Sequence, residues 1–91
     1  MSRDEMILDR LSQVRLLALR VHRRCPPCVE FDDLMSAGTV GLIRAVDRFR
    51  PELGRQLNTF VDHRIRGAML DYLRELDPLT RSLRAFVRRR D

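Results

Sequence analysis

Apolar residues recur along this chain at steps of three and four. Ile7, Leu11, Val14, Ala18 and Val21 step by four, three, four and three, and Leu17 widens the stripe. That spacing predicts one amphipathic helix. Ser2 and Glu5 stand ahead of it at capping-box spacing, and Pro26 and Pro27 end it. A second helix is expected from Asp32 or Asp33, where a carboxylate can cap free amides and suits the helix dipole. Leu34, Leu42, Ala45, Val46 and Phe49 line its buried side. Gly38 and Gly41 fall inside it, each costing about 1 kcal/mol relative to alanine, which predicts that another helix approaches closely there. Pro51 and Gly54 make the next turn. A third helix is expected from Asn58 or Thr59 to Leu76, with Val61, Ile65, Ala68, Met69, Tyr72 and Leu76 on one side and Arg64, Arg66, Asp71 and Arg74 on the other. Pro78 interrupts it, and a short basic fourth helix holds Leu83, Phe86 and Val87 inward. No strand alternation or internal repeat is present. The expected fold is all-α, a small bundle of about four helices with short connections, forming one domain over residues 1–91.

Composition adds a partner class. The net charge is +5, and all 18 basic residues are arginine. Guanidinium forks match phosphates bidentately and stack on bases, so a nucleic acid is the first partner to consider. A GC-rich coding sequence is the other explanation for the missing lysine. The excess gathers after Asp77, in Arg81, Arg84, Arg88, Arg89 and Arg90. No apolar run reaches the roughly 20 residues a bilayer span needs, and the polar start does not look like a secretory signal. A cytoplasmic protein with reduced thiols and no membrane partner is expected.

His22, Cys25 and Cys28 read H-x2-C-x2-C. Thiolate and imidazole suit zinc, but a tetrahedral site needs a fourth ligand, and His63 is far along the chain. A redox pair would expect a βαβ setting that this chain lacks. The plain reading is two thiols in a turn, with a redox or metal role for Cys25 and Cys28 as the alternatives; no cofactor is expected. Enzyme function has little support, because the acids are scattered and neither a nucleophile–base pair nor a phosphate-cradling loop is evident.

Three blocks carry a resemblance: FDDLMSAGTVGLIRAVDRFRPELG, then NTFVDHRIRGAMLDYLRELD, then TRSLR. In order and spacing they resemble region two of bacterial RNA polymerase sigma factors of the sigma-70 superfamily. The flagellar and sporulation type, with its hallmark RIRGAMLDELR, is the nearest in appearance, and the likeness spans roughly residues 7–87. It implies that the second helix docks on the β′ clamp helices of the polymerase core. The matching positions are Asp32, Asp33, Ser36, Ala37, Thr39 and Ile43, with Ile43 expected as the exposed apolar residue. It implies further that the third helix and the loop before it bind the non-template strand of the promoter minus-ten element, with an adenine flipped into a pocket. The matching positions are Arg55, Leu57, Asn58, Thr59, Phe60, His63, Arg64, Gly67 and Leu70. Phe60 would lie against the flipped base, with Arg55 and Arg64 on phosphates or stacking. Arg66, Arg81 and Arg84 would grip the upstream duplex.

The chain also departs from that pattern. Where the family run reads Phe-x-Thr-Tyr-Ala, this chain has Leu57, Asn58, Thr59, Phe60 and Val61, so a ring and a hydroxyl are missing. At about 1–3 kcal/mol per lost stack, weaker melting is expected. Asp77, Pro78, Leu79, Thr80, Arg81 and Ser82 stand where Asp-Trp-x-Pro-Arg-Ser is usual. After Ser82 there is no room for the domain that reads the minus-35 element, so the chain is either a cut-out domain or a stand-alone version. The expected function is promoter recognition in transcription initiation. The alternative is a degenerate sigma-like interaction module that binds polymerase or an anti-sigma factor without reading promoters.

Overall fold

The computed structural model describes residues 2–50 and 56–90, the stretch 77–90 by its backbone. Four helices follow one another: α1 (Arg3–Asp9), α2 (Leu11–His22), α3 (Phe31–Arg48) and α4 (Leu57–Arg90). The all-α expectation holds, but the elements are divided differently.

The first expected helix is two. Arg10 leaves helical geometry at φ −105°, ψ 4°, in the bridge region between helix and strand. Its amide still donates to the Ile7 carbonyl at 3.1 Å, and its own carbonyl accepts from Gln13 and Val14. One residue out of line leaves the three-and-four spacing intact on both sides, so periodicity could not reveal the break. Ser2 caps α1, accepting from the Glu5 amide at 3.2 Å. Arg3 reaches across to α3 with a forked ion pair to Asp47, its Nη2 3.1 Å from Oδ2. This bond, more than charge alone, holds the Asp47 carboxyl below its usual range.

α3 begins at Phe31, ahead of both expected caps. Glu30 is the cap position, without a side-chain bond, and Asp32 and Asp33 lie in the first turn. There they complement the helix dipole instead of capping. α4 likewise begins at Leu57, placing Asn58 and Thr59 in its first turn. Arg55 and the expected turn at Pro51 and Gly54 lie outside the described residues.

The expected interruption at Pro78 is overturned, because α4 is one helix of 34 residues. A proline forfeits one amide bond and crowds a carbonyl, at about 3 kcal/mol. Leu73, Arg74, Glu75 and Leu76 before it, and Leu79, Arg81, Leu83, Arg84 and Ala85 after it, are good helix formers that favour continuation on both sides.

The core follows the predicted stripes. Val14, Leu17 and Ala18 from α2, Leu34, Leu42 and Ala45 from α3, and Val61, Ile65 and Met69 from α4 are buried, with Val29 of the α2–α3 connection. Gly38 and Gly41 of α3 are where α4 comes close. A Cβ on Gly41 would stand 2.7 Å from the Ala68 Cβ and 3.0 Å from the Arg64 carbonyl oxygen. A Cβ on Gly38 would meet Met69, Val14 and Ile65. With Asp33 bonded to Tyr72 at one end and Phe49 against Phe60 at the other, the two helices run antiparallel. This pairing fixes which side chains share the site.

Candidate nucleic-acid interface

Because α3 and α4 are antiparallel, residues beyond Gly41 on α3 must flank the beginning of α4. Arg44 and Arg48 therefore face Phe60, His63 and Arg64 across a groove of about 740 Å³. Gly67, Ala68, Asp71, Tyr72 and Glu75 continue its α4 wall, and Ala37 and Val40 its α3 wall. The groove is electrically polarised. Arginines gather at the end next to the α4 N-terminus, and Asp71 and Glu75 sit toward the other end. The first turn of α4 has no acidic residue, so its free amides and dipole also favour an anion there.

Phe60 is half-buried at the basic end. The Phe49 ring is tilted against it at 5.8 Å between centroids, and the Arg64 guanidinium lies 5.2 Å from its centroid. Ring and guanidinium form a layered platform of the kind on which bases stack. On another side Phe60 lines a smaller pocket of about 360 Å³ with Gln56, Thr59 and His63. An amide, a hydroxyl and an imidazole beside an aromatic ring offer donors and acceptors to the edge of a base.

The sequence-derived nucleic-acid set divides. Phe60, His63, Arg64 and Gly67 line the groove. Asn58, Thr59, Arg66 and Leu70 are exposed, Leu70 to 48%. Arg66 pairs with Asp62 at 3.1 Å on its own helix. Leu57 packs against the core. The side chains of Arg81 and Arg84 lie outside the described residues.

Gly67 has no steric reason to be glycine, since a Cβ there would meet nothing within 4 Å. Gly67→Ala should raise stability by about 0.5–1 kcal/mol, read as a higher urea midpoint. Weaker binding of single-stranded DNA by that more stable variant would mark the position as one where the ligand comes close.

Of the expected polymerase-facing set, Asp32, Asp33 and Ser36 are exposed and Ala37, Thr39 and Ile43 half-buried. Thr39 donates its hydroxyl to the Met35 carbonyl at 2.7 Å. Ile43 is not the exposed apolar residue of α3. It sits one turn from Asp47, where Arg3 ties α1 down, and Val40 is the one left 46% exposed.

Sequence reasoning missed Arg44, Arg48, Gln56 and Val40. The signal for the arginines was present: they follow Gly41 by three and seven residues, on the side of α3 next to the crossing that the glycine pair marks.

The cysteine pair is held by the turn. Cys25 donates its thiol to the Val21 carbonyl at 3.3 Å, and burial, with nearby Cys28, pushes that thiol up from its ordinary range. Cys28 is exposed, and both thiols are free. The His22 Nε2 is 2.9 Å from the Val29 carbonyl, and the His22 ring meets Phe31 edge-on at 5.8 Å. Among the described residues no group of three His, Cys, Asp or Glu side chains converges as a metal set would. None of the helices among these residues is long and apolar enough to cross a membrane.

Comparison with known proteins gives this geometry a family. The model of sigma-70 region 2 matches residues 6–78. Over 75 residues the chain is 49% identical to RNA polymerase sigma factor FliA of Salmonella typhimurium, covering 82% of this chain and 31% of that protein. Over 65 residues it is 42% identical to the RNA polymerase sigma-D factor of Bacillus subtilis, covering 71% of this chain and 26% of that protein. Among solved structures, the sigma chain of the flagellar Sigma-28/FlgM sigma/anti-sigma cocrystal superposes with a TM-score of 0.74 at 38% identity, over 96% of this chain and 37% of that one. The chain thus spans about a third of the length of the relatives it matches. Sequence and superposition agree, and the chain belongs to the sigma-70 region 2 family, among its flagellar-type members.

Proposed function

We propose that this chain is the promoter-reading unit of a flagellar-type sigma factor. The outer strip of α3 (Asp32, Asp33 and Ser36) docks on the β′ clamp helices of RNA polymerase. The basic end of the α3–α4 groove takes the non-template strand of the minus-ten element, with one base turned out against Phe60. The observation that carries this reading is the convergence of Phe60, Arg64, Arg44 and Arg48 at one end of the groove, a ring for stacking among cations for phosphates. Turning a base out costs a few kcal/mol, and stacking on Phe60 with edge bonds in the Gln56–Thr59–His63 pocket is what offsets it. Arg55, Arg66, Arg81 and Arg84 remain candidates for the flanking backbone. The reading assigns no catalytic step and no cofactor. An anti-sigma factor is a further partner under it, by analogy with the relative crystallised with FlgM.

The test is fluorescence anisotropy with single-stranded oligonucleotides carrying a minus-ten element or its scramble. Arg44→Ala and Arg48→Ala should each lower affinity for both sequences and flatten the slope of log K against log salt by about 0.7, the loss of one single-strand phosphate contact. Slopes unchanged in both variants would remove the α3 wall from the interface. On the other side, Asp32→Arg should weaken binding to a recombinant β′ clamp-helix hairpin about tenfold, with only the small loss of stability that a reversed charge at the α3 N-terminus brings, about 1 kcal/mol. Equal affinity would remove the outer strip of α3 from docking.

One observation favours a second reading, an interaction module that binds polymerase or an anti-sigma factor but does not read promoters. Leu57 is partly buried against the core, and Phe60 is the one phenyl ring in the first two turns of α4. Hairpin binding with equal affinity for minus-ten and scrambled DNA would select it.

A further inference from the structure

Tyr72 belongs to the DNA-side helix by position, yet its hydroxyl is spent on the opposite helix. It donates to Asp33 Oδ2 at 3.1 Å, across 39 positions of chain. Among the described residues this is the one side-chain-to-side-chain hydrogen bond joining α3 to α4. The ring is half-buried and packs against the core, so the hydroxyl emerges from a fixed support, whereas Asp33 is exposed in the first turn of α3. A carboxylate on a free rotor loses side-chain freedom when it meets a partner; one already held by a rigid phenol loses less. Only one of its oxygens is engaged by Tyr72, which leaves the other to accept from an incoming cation.

We infer that Tyr72 is a positioning residue for polymerase docking, holding the Asp33 carboxylate in the orientation in which it meets a cationic side chain of the β′ clamp helices. The inference rests on the proposed docking of α3 and adds to it a residue of α4. It makes the polymerase-facing surface depend on the helix that lines the DNA groove.

The phenol reports on this bond directly. The chain has one tyrosine and no tryptophan, so phenolate absorbance belongs to Tyr72 alone. Burial first, then the bond to Asp33 and the negative charges of Asp33 and Glu30, hold the phenol above its ordinary range. Asp33→Asn should therefore lower the midpoint of the phenol titration, as follows from a carboxylate lying against the hydroxyl.

The decisive experiment is a double-mutant cycle in the 91-residue chain, with affinity for the recombinant β′ clamp-helix hairpin measured by titration calorimetry. Tyr72→Phe keeps the ring and removes the hydroxyl. It should weaken binding about three- to tenfold with the helical fold retained and a stability loss no larger than one hydrogen bond brings, about 1 kcal/mol. Asp33→Ala should weaken it at least as much, and the double variant should bind like Asp33→Ala, because the hydroxyl acts only through the carboxylate. If Asp33→Ala weakens binding while Tyr72→Phe does not, or if the two losses multiply, the positioning role is wrong and the docking of α3 stands. If Asp33→Ala binds as the parent does but Asp32→Arg weakens binding, docking stands without Asp33 and the inference fails. If neither acid matters, the α3 docking itself fails.

Discussion

Gly41→Val should destabilise the domain by about 3 kcal/mol or more, which for a chain of this length lowers the thermal midpoint by over about 10 °C. The reason is the helix crossing. The first added carbon would stand 2.7 Å from the Ala68 Cβ and 3.0 Å from the Arg64 carbonyl, and the latter is backbone that cannot swing aside. Two further methyls on a β-branched side chain only deepen the overlap. Relief requires α3 and α4 to move apart, exposing Leu42, Ile65 and Met69. The helix-propensity gain of replacing glycine is a fraction of a kcal/mol and does not offset this. Gly38→Ala is the informative comparison. Its nearest obstacle is the Met69 Cε, the far end of a flexible thioether, and the second is the Val14 Cγ1 at 2.9 Å, a side chain and not backbone, so the loss should be smaller than for Gly41→Val, within about 1–3 kcal/mol. Urea unfolding followed by helical circular dichroism measures both. Equal midpoints for Gly41→Val and the parent would mean that the crossing is looser than the structure has it.

That crossing also explains what could be read from the chain beforehand. The glycine pair in an otherwise periodic helix signalled close approach, and the buried stripes of α2, α3 and α4 followed from spacing, because each residue on a stripe reports its own position relative to the core. The break at Arg10 left no such trace, since a single bridge-region residue preserves the spacing around it. Pro78 misled in the opposite sense: local chemistry argued for an ending, and the helix formers on both sides outweighed it. For the site, Phe60, His63, Arg64 and Gly67 were named through the sigma-factor resemblance, within one contiguous run of the chain. Arg44 and Arg48 were overlooked: their spacing from Gly41 put them beside the crossing, but which end of α4 they meet follows from the antiparallel pairing, which is tertiary information. Ile43 was misjudged for a similar reason. It is half-buried one turn from Asp47, and the Arg3–Asp47 pair that brings α1 against that end of α3 is invisible to periodicity.

Phe60→Ala should abolish most of the preference for a minus-ten single strand over its scramble, a loss of about 1–3 kcal/mol, or roughly 5- to 150-fold in affinity for the cognate strand. The magnitude follows from one ring doing what two aromatic platforms would share. Leu57 packs inward, so little else at the start of α4 can hold a turned-out base. Part of the platform should survive as the Arg64 guanidinium, which still attracts phosphate but stacks less well without the ring beneath it. Affinity for the scrambled strand should therefore fall much less, because its binding comes mainly from charge. The variant also removes the ring that packs against Phe49 at 5.8 Å, so a stability loss is expected alongside, and Phe60→Leu separates the two effects. Leucine refills apolar volume at the groove end but offers no π-face, so it should recover stability and leave discrimination lost. If Phe60→Leu discriminates as well as the parent, the ring is a packing element. Recognition would then belong to Gln56, Thr59 and His63 around it.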